Sequence, residues 1–484
     1  MSETNLKSKT LSGMIWSFVQ RFGTMIISFV SNIVLARLLT PDDYGTIGML
    51  MIFIAVANTF VDGGFGSALI QKKEPTKEDY STIFWWNMFL SLVLYGALYV
   101  SAPAIARFYE LPILSQVLRV QGFVLILNAL SIIQQNQLRK QLKFKRLASV
   151  AVVSATLSAG IAIVLAYIGW GVWALVAQQL MMSGFNAIIL WIINKWCPSL
   201  IFSKKSFKEL FGFGGFILSS NLINTLCNNV QGLLIGKFFP AATLGYYTQA
   251  RKLEEVASTS LSTIVDQVSY PVLSRYQDSK TFLLNALRKF VAIIAFISIP
   301  TMLVLILVAE PVIITLYSDA WRESIPFFQI LCIAGIAISM QGIHYYTVAS
   351  LGKSKELFKW TIIKRVLALM TTLLGMMLYG IYGLLVGSVI GSWILYVANA
   401  YLCSKYVGYT FKLQVKDIIQ VVVIAVISFV VSYLVGNQFV ANMYLIALVK
   451  VAIFGGLYIC FSYAFKVRPM MILISTIKDY LHKK

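Results

Sequence analysis

Residues 244–276 read LGYYTQARKLEEVASTSLSTIVDQVSYPVLSRY, and whether this stretch crosses a membrane decides the topology of the whole chain. Its position and spacing place Arg251, Lys252, Glu254, Glu255 and Asp266 inside a span. At roughly 2.5–3.5 kcal/mol per charge at the bilayer centre, five such residues facing lipid would cost on the order of 12–18 kcal/mol. They therefore face a water-filled cavity or a bundle interior, and the stretch reads as one wall of a transport pathway.

Composition agrees that a membrane is the solvent. Of 484 residues 58% are hydrophobic and 12% charged, with a mean hydropathy of +0.79, a balance outside the range of soluble globular domains. Apolar runs long enough to cross a core of ~30 Å, about 20 residues each, recur along the length. The five cysteines (Cys197, Cys227, Cys332, Cys403, Cys460) are scattered without a CxxC, so neither disulfide nor metal chemistry is indicated and no cofactor is expected. The N-terminal MSETNLKSKTLSGMIW has lysines but no short apolar core ending in a small-residue cleavage site, and reads as the start of a retained first span.

The reading is an all-α polytopic protein of about fourteen transmembrane helices. The first six lie near 13–35, 44–62, 81–102, 114–136, 148–168 and 171–194. Six more lie near 210–236, 244–268, 286–308, 325–350, 357–378 and 381–403, and two extra near 417–435 and 441–464. The 244–268 span fails a plain hydropathy window. What supports it is the distribution of lysine and arginine. With the N-terminus in the cytoplasm, that side holds 29 of the 40 basic residues, and the opposite side holds Arg37, Arg107, Lys237 and Arg322. Removing the span would flip everything after it and place the downstream basic loops outside, against the positive-inside rule. Both termini are then cytoplasmic, and the net charge of +21 is mostly a topology signal and a contact with lipid headgroups rather than a nucleic-acid site.

The seven remaining basic residues, Arg21, Arg119, Arg251, Lys252, Lys364, Arg365 and Lys450, fall within the spans. Arg119, Lys364 and Arg365 lie close enough to span ends to snorkel, and Lys450 either snorkels or marks a lipid-tail groove. Arg251 and Lys252 have Glu254 and Glu255 at i,i+3 and i,i+4, where pairing along one helix competes with ligand binding. Arg21 has no carboxylate within two helical turns in WSFVQRFGTMIIS.

An internal repeat appears at an offset of about 200. RLLTPDDYG at 37–45 and KFFPAATLG at 237–245 each close one span with a basic residue, then give a proline and a glycine opening the next. Arg21, Thr24, Ser28 and Ser31 correspond to Asn221, Asn224, Asn228 and Gln231, each set on one helical face. Such stripes line a cavity or serve as interhelical glue. GVW at 171–173 recurs as GIY at 380–382, and the linker QLRKQLKFKRL at 137–147 echoes LGKSKELFK at 351–359. Six spans being an even number, the repeats are parallel. The expected organisation is two six-helix lobes, 1–195 and 210–403, a cytoplasmic linker at 196–209, and two extra helices with a basic tail at 404–484.

VLARLLTPDDYGTIGML, DGGFGSALIQKKE at 62–74, YPVLSRYQD at 270–278 and SDAWRESIPFFQILCIAG at 318–335 together resemble the polysaccharide-transporter branch of the multidrug/oligosaccharidyl-lipid/polysaccharide exporter superfamily. Within it the chain is similar to Wzx-type flippases of the colanic acid and teichuronic acid group. The resemblance covers nearly the whole chain and implies a two-lobed bundle with two extra helices, alternating access, a bacterial cytoplasmic membrane, and an undecaprenyl-pyrophosphate-linked oligosaccharide as substrate. Polysaccharide polymerase machinery is the partner it implies.

The sign of the charge agrees with that implication. The first span carries Arg21 and no acid, whereas drug exporters of this superfamily need carboxylates in the N-terminal lobe for cationic cargo. A guanidinium fork matches phosphate oxygens bidentately. The candidate cavity residues are thus Arg21, Arg251 and Lys252 for an anionic head, and Asn221, Asn224, Asn228 and Tyr247 for sugar hydroxyls. Glu254 and Glu255 would tune the charge, with Arg119, Lys364, Arg365 and Lys450 as further candidates. A cation-coupled multidrug exporter, a membrane glycosyltransferase or polymerase working through the loop at 309–324, and a scaffold protein are the alternatives.

Overall fold

A computed structural model describes residues 3–276, 279–438, 442–472 and 474–475. Among them the secondary structure is helical throughout, in two compact units, Met1–Thr248 and Gln249–Lys484. The first unit holds α1 (Glu3–Leu38), α2 (Pro41–Asp62), α3 (Phe65–Gln71), α4 (Lys77–Phe108), α5 (Ile113–Gln121), α6 (Val124–Lys140), α7 (Phe144–Tyr167), α8 (Val172–Asn194), α9 (Lys204–Phe238) and the opening turns of α10 (Ala241–Arg275). The second holds the rest of α10, then α11 (Lys280–Leu307), α12 (Ala309–Tyr317), α13 (Ser324–Ser350), α14 (Ser354–Val407), α15 (Phe411–Gly436) and α16 (Met443–Ala464).

Among the described residues, twelve stretches of helix are long and apolar enough to cross a membrane, which makes the chain a multi-pass membrane protein. One of the twelve covers 356–407, 52 residues, more than twice what a bilayer needs. It breaks at Tyr379 and Gly380, and the halves run back along each other, Thr371 Oγ1 donating to the carbonyl of Gly387 at 2.9 Å. The helix missing from the twelve is α10, continuous over 35 residues but too polar to qualify. Counting α14 as two passes gives thirteen; the fourteenth span expected, α10, has the length of a span but not the composition. The short helices α3 and α12 fall where the sequence suggested only loops.

The helix starts follow from side chains that satisfy the free N–H groups of a first turn. Thr40 with Asp43 and Thr76 with Asp79 form capping boxes ahead of α2 and α4, with Pro41 at the first position of α2. Ser203 and Ser279 cap α9 and α11. In α7 a stripe of Ala148, Ala151, Ser154, Ala155, Ser158, Ala159 and Ala162 is buried, and small side chains here let helix backbones approach where lipid offers no hydrophobic drive.

One pair of positions matched in the sequence shares its backbone conformation. Gly171 takes φ 52°, ψ −130° and its counterpart Gly380 takes φ 59°, ψ −135°, a region open only to glycine. Gly45 and Gly245 are also paired, though not as turn residues, since neither has a positive φ. A Cβ on Gly45 would stand 1.8 Å from the carbonyl oxygen of Ala241, and one on Gly245 would stand 2.0 Å from that of Pro41. The contact is reciprocal between residues 200 apart, and it joins the first turns of α2 and α10.

The second unit has its own fastening. Arg288 of α11 holds Asp417 of α15 through two hydrogen bonds of 2.8 and 2.7 Å, and the Tyr409 hydroxyl donates to the same carboxylate at 3.0 Å. Tyr458 of α16 donates to the carbonyl of Phe296 at 2.9 Å. These bonds tie the two additional C-terminal helices to α11.

Candidate functional site

α10 carries its charges on more than one face because consecutive helical residues point about 100° apart. Arg251 Nε donates to Glu255 Oε1 at 2.9 Å, a pairing one turn along the helix that leaves both side chains partly accessible. Lys252 is exposed. Glu254 turns the other way and is 3% exposed. It packs in the second unit against α11 and α13, where a Cβ on Gly335 would lie 2.4 Å from its Oε1 and 3.0 Å from the Met302 sulfur. That oxygen has no hydrogen-bond partner among the described residues. The sequence treated Glu254 and Glu255 alike, and the structure separates them: one partners Arg251 and the other is buried. The Asp266 side chain lies outside the described residues.

In the first unit Arg21 is exposed on α1, with Thr24 and Ser28 following it at half-buried to exposed positions. Ser31, at the end of this stripe, is buried and accepts a hydrogen bond from Gln178 of α8 at 3.3 Å. On α9, Asn221 and Asn228 are exposed, and Asn224 and Gln231 are half-buried. Tyr247 is 3% exposed and its hydroxyl donates to Gln231 Oε1, fastening α9 to the start of α10. Thr225, between the asparagines, shares a 3.0 Å hydrogen bond with Thr59 of α2. The stripes thus combine accessible polar side chains at one end with interhelical bonds at the other.

The remaining intramembrane cations have structural surroundings. Arg119 of α5 lies 4.6 Å over the ring of Tyr99 and donates to its carbonyl at 3.4 Å. Lys364 is buried, with Nζ 2.6 Å from Asn399 Oδ1. Arg365, its neighbour, is half-buried. Lys450 lies between α15 and α16, its aliphatic carbons against Gly436 and its ammonium 5.0 Å above the ring of Tyr433. Outside the spans, Arg322 bridges Glu310 and Asp319 at 3.0 Å each in the loop the alternative enzyme reading would use, which occupies those carboxylates in ion pairs.

A family profile described as "Polysaccharide biosynthesis protein" matches residues 34–326. The chain is 26% identical over 358 residues to the teichuronic acid biosynthesis protein TuaB of Bacillus subtilis (strain 168), covering 74% of each chain. It is 22% identical over 436 residues to the lipopolysaccharide biosynthesis protein WzxC of Escherichia coli (strain K12), covering 89% of this chain and 88% of that one. Among solved structures its fold is similar to that of the lipid II flippase MurJ in an inward closed conformation, with a TM-score of 0.74 and 16% identity over 93% of this chain and 98% of that chain. A multidrug resistance transporter of the MATE family, inward-facing, follows at a TM-score of 0.62 over 82% of this chain and 98% of that one.

Proposed function

The chain belongs to the polysaccharide biosynthesis protein family, and from that premise we propose that it is a flippase moving undecaprenyl-pyrophosphate-linked oligosaccharide units across the bacterial cytoplasmic membrane for surface polysaccharide synthesis. It acts as a transporter rather than an enzyme. The observation that carries the reading is the basic charge carried within the spans. Between Ser12 and Leu38 the first span holds Arg21 and Arg37 and no acid, and α10 places Arg251 and Lys252 where a span should be apolar. A cationic drug would be repelled by these groups, whereas a pyrophosphate gains charge-assisted hydrogen bonds from them.

In this mechanism Arg21, and at its own stage Arg251 with Lys252, meets the anionic head during translocation. Asn221, Asn224 and Asn228 offer amide partners to the glycan, while the buried Tyr247, bonded to Gln231, holds α9 to the start of α10 beside them. Glu255 holds the Arg251 guanidinium, so the local charge is partly neutralised and the head is released as well as bound. Glu254 sets the balance from its buried side. The two bodies that alternating access requires are drawn from the expected repeats, 1–195 and 210–403, with α9 and the first turns of α10 packed in the first compact unit. Both termini are cytoplasmic, and polymerase machinery receives the product outside.

Deleting the gene tests the reading directly. Lipid-linked oligosaccharide is expected to accumulate on the cytoplasmic leaflet, measured by its protection from a glycosidase added outside intact spheroplasts. Accumulation on the outer leaflet would place the defect after translocation and overturn the proposal.

A further inference from the structure

At one end of the first unit, the start of α4, the end of α6 and the residues after α8 line an open cleft of about 360 Å³. This is within the size range of small-molecule sites. Lys77, Tyr80, Gln137, Gln141, Lys195 and Trp196 are among the residues lining it. Nothing in the translocation mechanism uses them.

The cleft is built rather than incidental. Residues 195–203 are non-helical and are strapped to α4 by side chains: Ser199 N–H donates to Ser81 Oγ at 3.1 Å, Trp85 Nε1 to the Ser199 carbonyl at 2.9 Å, and Ser203 N–H to Thr82 Oγ1 at 3.0 Å. Gln134 Nε2 donates to the Trp196 carbonyl at 3.0 Å. Opposite, Lys140 Nζ donates to the carbonyls of Leu69, Ile70 and Lys72, closing the end of α6 onto the segment that leads to α4. Beneath lies an apolar cluster that includes Phe65, Leu69, Ile83, Phe84 and Ile133.

The donor set is specific in kind. Asn194 Nδ2 donates to Gln137 Oε1 at 2.6 Å, which leaves the Gln137 amide N–H and the Asn194 carbonyl for a ligand hydroxyl. Tyr80 and Trp196 stand edge to face, 6.3 Å apart, and offer aromatic surface to the C–H face of a pyranose ring. The charge nearby is unequal. Asp79 is taken by Lys72, which also pairs with Glu209, whereas Lys77 and Lys195 make no ion pair among the described residues. Burial lowers the Lys72 ammonium, and the two carboxylates more than reverse it, so its pKa lies above the ordinary lysine value and it stays charged and paired. Lys195 takes φ 51° at the end of α8, a conformation glycine adopts more readily.

We propose that this pocket is a binding site for an anionic sugar, a pyranose carrying a phosphate or carboxylate, on the basic end of the first unit. The aromatic pair takes the ring, Gln137 and Asn194 its hydroxyls, and Lys77 and Lys195 its charge. By the lysine and arginine distribution this end is cytoplasmic, where lipid-linked units are assembled, so the assignment of its role rests on the flippase reading; the chemistry of the pocket does not. The anion comes either from the glycan to be flipped or from a soluble sugar phosphate.

The test is calorimetric titration of the full chain in phosphatidylcholine nanodiscs. Glucose 1-phosphate stands for the soluble source and methyl β-glucuronide for an acidic glycan residue, with methyl β-glucoside and glycerol 1-phosphate as controls. One or both anionic sugars should bind, at least tenfold more tightly than either control, and a Lys77→Gln, Lys195→Gln variant should lose at least tenfold. Gln141→Glu, which adds a like charge at an exposed lining position, should weaken binding as well without altering the melting temperature. No binding of either anionic sugar, equal binding of glycerol 1-phosphate, or unchanged affinity in both variants overturns the site. An Arg21→Ala, Arg251→Ala variant should still bind the probes, so a failure of the flippase reading leaves this result standing, and the reverse.

Discussion

Arg251 and Glu255 are fastened to each other at 2.9 Å while remaining partly open, and that combination defines what substitution there should do. A charge-assisted contact to a phosphate is worth about 1.5–3 kcal/mol, roughly one to two orders of magnitude in affinity. Arg21→Ala or Arg251→Ala should therefore stop export of surface polysaccharide while the protein remains inserted at normal levels. Lysine at either position should rescue only in part, because the fork that matches phosphate is lost. Glu255→Ala should give a milder defect by freeing Arg251. A complementation assay with protein levels measured alongside decides it, and full export by the Arg21→Ala, Arg251→Ala double variant would remove the anion mechanism. At this scale the sequence was informative about residue type and poor about direction. It picked out Arg251, Lys252, Glu254 and Glu255 as a group, because charge in a span is conspicuous. It could not tell that Glu254 points into α11 and α13 while Glu255 meets Arg251, since that depends on which neighbours surround α10. For the same reason it marked Tyr247 as a sugar contact without foreseeing its bond to Gln231. The pocket at Lys77, Gln137 and Lys195 was invisible, because its successive walls are about 60 residues apart in the chain and joined by ordinary polar residues.

Among the elements, the junction of α2 and α10 makes the sharpest demand. With backbone carbonyls 1.8 and 2.0 Å from where a Cβ would sit on Gly45 and Gly245, no rotamer relieves the overlap and the helices must separate. Gly45→Val and Gly245→Val should each cost about 3 kcal/mol or more, the upper end of ordinary overpacking, and lower the amount of folded protein in the membrane. Fluorescence-detected size exclusion of detergent extracts measures this; normal folded yield in both variants would show that the helices part without penalty. The repeat spacing of 200 made this pair legible, but not the close approach of helix backbones that the glycines serve. The match of GVW at 171 to GIY at 380 was more faithful still. Both glycines adopt the same left-handed φ with ψ near −130°, so a local pattern encoded a local conformation. The short helices α3 and α12 were not legible because seven and nine residues carry too few turns for a period to emerge.

For the molecule as a whole, the orientation in the membrane is the property on which the mechanism depends, and it hinges on α10. The helix is continuous over 35 residues, about 52 Å at 1.5 Å per residue, ample to cross the bilayer even though its composition fails a hydropathy criterion. If it crosses, every basic loop from 280 onward returns to the cytoplasm and Arg322 remains outside. If it does not, the C-terminal half is inverted, and the lysines and arginines at 353–359, 405–416 and 466–484 face the wrong side. The two topologies differ in one measurable place. In a variant with the native cysteines Cys197, Cys227, Cys332, Cys403 and Cys460 replaced by alanine or serine, Ala320→Cys sits on the exposed turn after α12 and Lys143→Cys on the exposed loop before α7. A membrane-impermeant maleimide applied to intact cells should label the cysteine at 320 and spare the one at 143, which should react only after permeabilisation. Labelling at 320 only after permeabilisation would mean that α10 lies along the membrane instead of through it, and that Arg251 and Lys252 never enter the path of a translocated anion.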